Sequence, residues 1–218
     1  MKRCYGSGNV LDIALGGSNP SDHTRLLKYE NMSKTLDTTS ADERVESKLL
    51  NSHVHFLTGD IDEDNIRKAI QWIVYENLSN ESKTLTLYVN TQGGDLYQAF
   101  ALIDIMNVSK HVIRTVGIGN VMSAGFLIFI SGTIGHRIIA PNTGIMCHQY
   151  SDAPEGKHHD LKATMLEGEY CNTRMLNIIQ NACDLDAKTI KRKLLPPTDV
   201  YLTAPELIEL GLADKLLT

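Results

Sequence analysis

The chain is 218 residues long, 42% hydrophobic and 22% charged, with a formal net charge of −5 from 21 basic and 26 acidic side chains. That suits a globular protein with one sizeable domain, able to bury a core without disulfide or metal staples. It argues against nucleic-acid binding, because no basic stripe is present, and against a membrane span, because the most apolar run, Ala124 to Ile130, is far too short.

The N-terminus reads Met-Lys-Arg, but only a glycine-broken apolar run follows, Val10 to Leu15, a poor core for a signal peptide. Residues 1–46 are rich in Gly, Ser, Asn, Asp and Thr, with a turn cluster from Gly16 to Ser21. This stretch is expected to be a polar arm, followed by a folded domain over 47–218. His53 to Leu57 reads as a strand ended by Gly59. Ile66, Ala69, Ile70 and Ile73 keep helical spacing after an acidic start from Asp60 to Asp64. Thr84 to Val89 is a strand, Gly93-Gly94 a turn, and Leu96, Phe100, Ile103 and Met106 mark the next helix.

Val112 to Ile118 is predicted as a strand and Ser123 to Ile130 as a short buried helix. Arg137 to Ala140 and Gly144 to His148 are predicted strands. A long helix follows over about 159–183, with Leu161, Met165, Leu166, Met175 and Ile179 on its apolar side. Thr203-Ala-Pro-Glu206 is a capping box with an early proline, and Gly211 closes that helix. Strand and helix alternate throughout, so the fold class is α/β.

The four cysteines, Cys4, Cys147, Cys171 and Cys183, lack Cys-x-x-Cys spacing, so no zinc site is expected. Cys171 and Cys183 stand roughly 18 Å apart on one helix, beyond disulfide reach. All four are expected to be free thiols in a reducing, cytoplasmic compartment.

Four segments could carry chemistry. In Gly117-Ile-Gly-Asn-Val-Met-Ser-Ala-Gly125 a strand ends, small residues turn, and a buried helix begins. Ser123 at that helix start meets free N–H groups and a favourable dipole for negative charge. A plain N-cap serine accounts for the same pattern. Asn90-Thr-Gln-Gly-Gly94 follows a strand, and its glycines let backbone N–H groups approach a ligand. It reads equally as a simple strand-to-helix turn. His148 ends a strand before a polar loop, where a base can reach a substrate, although strand-end histidines are more often structural. Asp199 opens a short strand after Pro196-Pro197 and alone would be a turn residue. His158 and His159 have no partner set suggesting a metal.

From about Leu49 to Leu217 these segments, in this order, resemble the Clp protease proteolytic-subunit family (ClpP). The resemblance runs through Phe56-Leu-Thr-Gly59, Leu87 to Gly94, Gly119 to Gly125, Pro141 to Gln149 and Asp199 to Asp214. It implies a ClpP/crotonase-like spiral of repeated β-β-α units with a protruding handle helix near 159–183. It implies an ATP-dependent serine endopeptidase in which Ser123 is the nucleophile, His148 the general base and Asp199 its orienting acid. The backbone N–H groups of Gly94 and Ala124 would form the oxyanion hole. No metal or organic cofactor is implied.

The same resemblance implies two stacked seven-membered rings, a homo-oligomeric tetradecamer, fed unfolded protein by an AAA+ Clp ATPase. Apolar pockets including Tyr88 would receive that ATPase, and part of 1–46 would line the axial pore. The chain departs from the family pattern at Gln92, where proline is usual, and at Ala124, where methionine is common. Its arm is longer, and about two extra residues separate His148 from Asp199. Three alternatives remain: a crotonase-like acyl-CoA enzyme, a non-cleaving ring subunit, and a competent but latent peptidase.

Overall fold

The structure, a computed structural model, describes residues 40–218. Residues 1–39, with the Gly16–Ser21 turn cluster, the Val10–Leu15 run and Cys4, lie outside the described residues. Helix α1 (Ala41–Asn51) opens with a reciprocal cap. Glu43 N–H donates to Ser40 Oγ at 3.1 Å, and Ser40 N–H to the Glu43 carboxylate at 2.6 Å. The helix begins inside the stretch read as a polar arm. It buries no side chain of its own, so apolar periodicity could not announce it.

Residues Leu49–Thr218 make one compact unit. Strand β1 (Val54–Thr58) leads to α2 (Glu63–Glu76), which Asp62 caps by accepting the Asn65 N–H at 2.8 Å. Ile66, Ala69, Trp72 and Ile73 of α2 face the core. Strand β2 (Thr84–Thr91) alternates between buried and half-buried positions, and α3 (Leu96–Val108) follows under an Asp95 cap. Strand β3 (Val112–Met122) runs into α4 (Ala124–Ile130), whose seven residues are all buried. A helix apolar on every side belongs in the middle of the core. Then come β4 (Arg137–Ile139), β5 (Gly144–Cys147), α5 (His158–Ala182) and α6 (Ala187–Lys193). Strand β6 (Val200–Leu202), α7 (Ala204–Glu209) and β7 (Lys215–Leu216) complete the unit.

The strands lie in the order β1-β2-β3-β4-β7, all parallel. Parallel neighbours need crossovers, and α2, α3 and α4 supply the first three. The expected mixed α/β architecture is therefore present, with a mostly parallel sheet. Strand β3 is long enough to serve two neighbours. Thr115–Gly117 pair with β4, and Asn120–Met122 pair with β5, which carries β6 antiparallel on its other side.

Two expectations need correction. The strand read as ending at Ile118 continues to Met122. Val89 lies opposite Gly117 but Thr91 opposite Val121, so a single residue of β2 faces three of β3. Such a bulge bends a strand without ending it, and Gly117, Gly119 and Asn120 mark the bulge rather than a turn. The long helix also buries only its second half. Cys171, Met175, Ile179 and Ala182 are buried, whereas Met165 and Leu166 are exposed. Cys183 caps that helix from one residue beyond it.

The closing segment is held by one buried cation. Arg137, 2% exposed, donates to Ala182 O at 2.7 Å and Gly211 O at 2.8 Å. Its Nη2 and Nε reach the two Asp214 carboxylate oxygens at 2.7 and 3.0 Å. This joins the ends of α5 and α7 to the sheet.

Candidate active site

Ser123 stands between β3 and α4 with φ 54° and ψ −124°. That region is rarely entered by a side-chain-bearing residue, and such strain persists only where neighbours enforce it. Here the Ser123 N–H donates to Met146 O of β5 at 2.8 Å. The sequence allowed a simple N-cap serine. The Ser123 side chain makes no capping hydrogen bond; its Oγ lies 2.7 Å from His148 Nε2. His148 follows the last residue of β5, so the β3–β5 pairing sets both partners.

The glycine loop packs directly on this serine. A Cβ on Gly93 would lie 2.6 Å from Ser123 Cβ and 3.1 Å from its Oγ. A Cβ on Gly94 would lie 2.5 Å from Ile61 O. Neither position tolerates a side chain. Ile61 N–H donates to Gly93 O and Asp95 N–H to Ile61 O, each at 2.8 Å. Among the described residues, the N–H groups of Gly94 and Ala124 have no acceptor. Gly94, Ala124, Ser123 and His148 all line one cleft of about 280 Å³.

Asp199 is placed differently. Cys147 pairs with Val200 at the end of the antiparallel β5–β6 ladder, so His148 and Asp199 are the residues just past it on the two segments. Asp199 is exposed, and among the described residues it makes no hydrogen bond or ion pair with His148. Four of the five predicted residues thus share the cleft. The fifth, Asp199, does not line it and makes no hydrogen bond or ion pair with the histidine among the described residues.

A family model described as Clp protease matches residues 38–218. The chain belongs to the Clp protease family. The match covers every described secondary-structure element, so the described fold is that of a ClpP-like peptidase.

In this Clp protease family member a serine and a cysteine lie beside His148, and burial separates them. Cys147 precedes the histidine, but it is 2% exposed with Sγ 3.1 Å from Leu194 O. Burial pushes its thiol up to about 12. Iodoacetamide at pH 8 should leave Cys147 unmodified in the folded protein and modify it after denaturation, as read by peptide mass spectrometry. Alkylation of native Cys147 at the rate of a free thiol would contradict this burial.

Sequence reading missed the cleft walls. Tyr97 and Tyr150 line it beside Leu96 and Met175. Tyr97 sits one residue past a helix start and Tyr150 in a loop, so neither belongs to an apolar period. Among the described residues, no three His, Cys, Asp or Glu converge as a metal would need, and no helix is long and apolar enough to cross a membrane.

Proposed function

We propose that the chain is a serine endopeptidase, the proteolytic subunit of an ATP-dependent Clp protease, acting through an acyl-enzyme. The observation that carries this reading is the 2.7 Å contact from Ser123 Oγ to His148 Nε2 at a strained strand-to-helix turn. In this mechanism Ser123 Oγ attacks the scissile carbonyl while its proton passes to His148 Nε2. The carbonyl oxygen becomes an oxyanion facing the free N–H groups of Gly94 and Ala124. The amide C–N bond breaks, and the amine leaves with the proton from His148. Water repeats the sequence on the ester and frees the acid. Asp199 would hold the His148 tautomer and stabilise its imidazolium.

The finer architecture belongs to the same proposal. Met165, Leu166 and Tyr170 on the outer half of α5 are exposed, as suits a handle that packs against other subunits in stacked heptameric rings. Phe56 and Tyr88 stack with ring centroids 4.7 Å apart, and Phe56 is exposed, which suits docking of an AAA+ ATPase. Residues 1–46 would contribute to the axial pore, and 47–218 would be the peptidase domain in the cytoplasm.

The unmade His148–Asp199 contact favours a second reading, a latent subunit whose triad closes on assembly. A crotonase-like enzyme would share the paired N–H donors but has no use for a serine bonded to a histidine. A fluorophosphonate probe distinguishes these readings. A standing triad should label at Ser123, located by peptide mapping, in folded protein whether or not it is assembled. A latent subunit labels only once assembled. Folded, assembled protein that takes no label at Ser123 would overturn the serine mechanism.

A further inference from the structure

The N–H groups of Gly94 and Ala124, both without an acceptor among the described residues, belong to different elements. Gly94 lies in the loop after β2, and Ala124 opens α4 after β3. A shared oxyanion needs both donors within a few tenths of an ångström of one geometry, so something must hold the two elements at a fixed spacing.

The bulge between β2 and β3 lies where that spacing is set. Asn90 and Thr91 are the last two residues of β2, and each reaches one side of it. Asn90 Oδ1 accepts the Asn120 N–H at 3.0 Å, and Gly119 presses against the same oxygen, with room for no Cβ there. Asn90 therefore fixes the bulged segment of β3 that leads to Ser123. Thr91, 2% exposed, reaches both donor elements at once. Its Oγ1 accepts the Gly93 N–H at 3.0 Å, which sets the peptide immediately before the Gly94 donor. Its methyl lies against Gly125, the residue after Ala124; a Cβ on Gly125 would meet Thr91 Cγ2 at 2.3 Å.

We infer that Thr91 is a positioning residue that sets the distance between the two oxyanion donors, its hydroxyl holding the Gly94 side and its methyl the Ala124 side. The inference rests on the proposed serine mechanism and adds a residue that touches no substrate. Because the oxyanion forms only once Ser123 has attacked and is absent from the bound ground state, misplaced donors lower kcat and leave ground-state binding intact. Removing one oxyanion donor outright costs about 10²–10³ in kcat, and displacing one costs less.

Thr91→Val keeps the volume and methyl contact and loses the hydroxyl acceptor. Thr91→Ser keeps the acceptor and loses the methyl. Each variant is assembled, its active sites are counted by the endpoint of fluorophosphonate labelling, and hydrolysis of a fluorogenic peptide is measured per labelled site. Thr91→Val is expected to lower kcat by about 10- to 100-fold with KM within about twofold. It should weaken inhibition by a peptide aldehyde, which forms an oxyanion on Ser123, by a comparable factor. Thr91→Ser should retain more of kcat than Thr91→Val.

A purely structural role for Thr91 would reduce the number of labelled sites and the unfolding temperature while leaving kcat per site unchanged. That outcome, or equal aldehyde inhibition of wild type and Thr91→Val, overturns the inference and leaves the serine mechanism standing. If wild type itself takes no label, the serine mechanism falls and this role of Thr91 falls with it.

Discussion

Ser123→Ala is expected to lower kcat for a fluorogenic peptide by roughly 10⁶, His148→Ala by a similar factor, and the double variant by no more than either alone. The 2.7 Å contact is the reason for this non-additivity. Without His148 the serine hydroxyl has no base at hand, and without Ser123 the histidine has no nucleophile to activate. Residual turnover would come from the Gly94 and Ala124 donors and from substrate binding. Folding provides the control. Alanine at 123 keeps the positive φ of 54°, so Ser123→Ala should unfold near the wild-type temperature. Ser123→Gly should be just as inactive but unfold higher, because glycine relieves strain worth about 1–3 kcal/mol. Independent, multiplying losses at Ser123 and His148 would show that the two do not act as a unit.

What could be read from the sequence depended on how local each signal was. The capping box from Thr203 to Glu206 has all its partners within four residues, and Thr203 Oγ1 does accept the Glu206 N–H. The buried face of α2 likewise shows as one apolar period. Helix α6 gave no such sign: it has seven residues and buries only Ile190, which is too little to make a period. Strand β7 is two residues long and exists only through its pairing with β4.

The site divides along the same line. Residue types suggested Ser123, Gly94 and His148 one at a time, each with an ordinary structural explanation. What set Ser123 apart was an unusual φ and a hydroxyl that bonds His148 instead of capping α4, which no residue pattern encodes. Thr91 shows the limit most plainly. Its two contacts reach a peptide two residues ahead and a helix 34 positions away, and only the bulge in β3 brings the second within reach.

The largest stability effect is expected at the far end of the sheet, in Asp214→Ala. The Arg137 guanidinium is buried and cannot shed its proton, so removing Asp214 leaves a cation with only the carbonyls of Ala182 and Gly211. Breaking a buried pair by taking one partner typically costs about 3–5 kcal/mol. For a unit of this size that lowers Tm by about 6–20 °C in a thermal melt. Combining Asp214→Ala with Arg137→Met should recover much of the loss, since no unpaired charge is left.

The pH dependence has a definite sign. Burial alone would raise the Asp214 carboxyl, but hydrogen bonds and charge from Arg137 outweigh it and hold the carboxyl below its ordinary value. A carboxyl lowered on folding stabilises the protein above the ordinary carboxylate range, at and above about pH 4. That contribution fades as pH falls further and is gone once pH drops below the lowered folded value. Asp214→Ala should therefore narrow its stability deficit against wild type as acid is added. A deficit that stays constant from pH 7 to pH 3 would mean that the Asp214 charge is not what holds Arg137 in place.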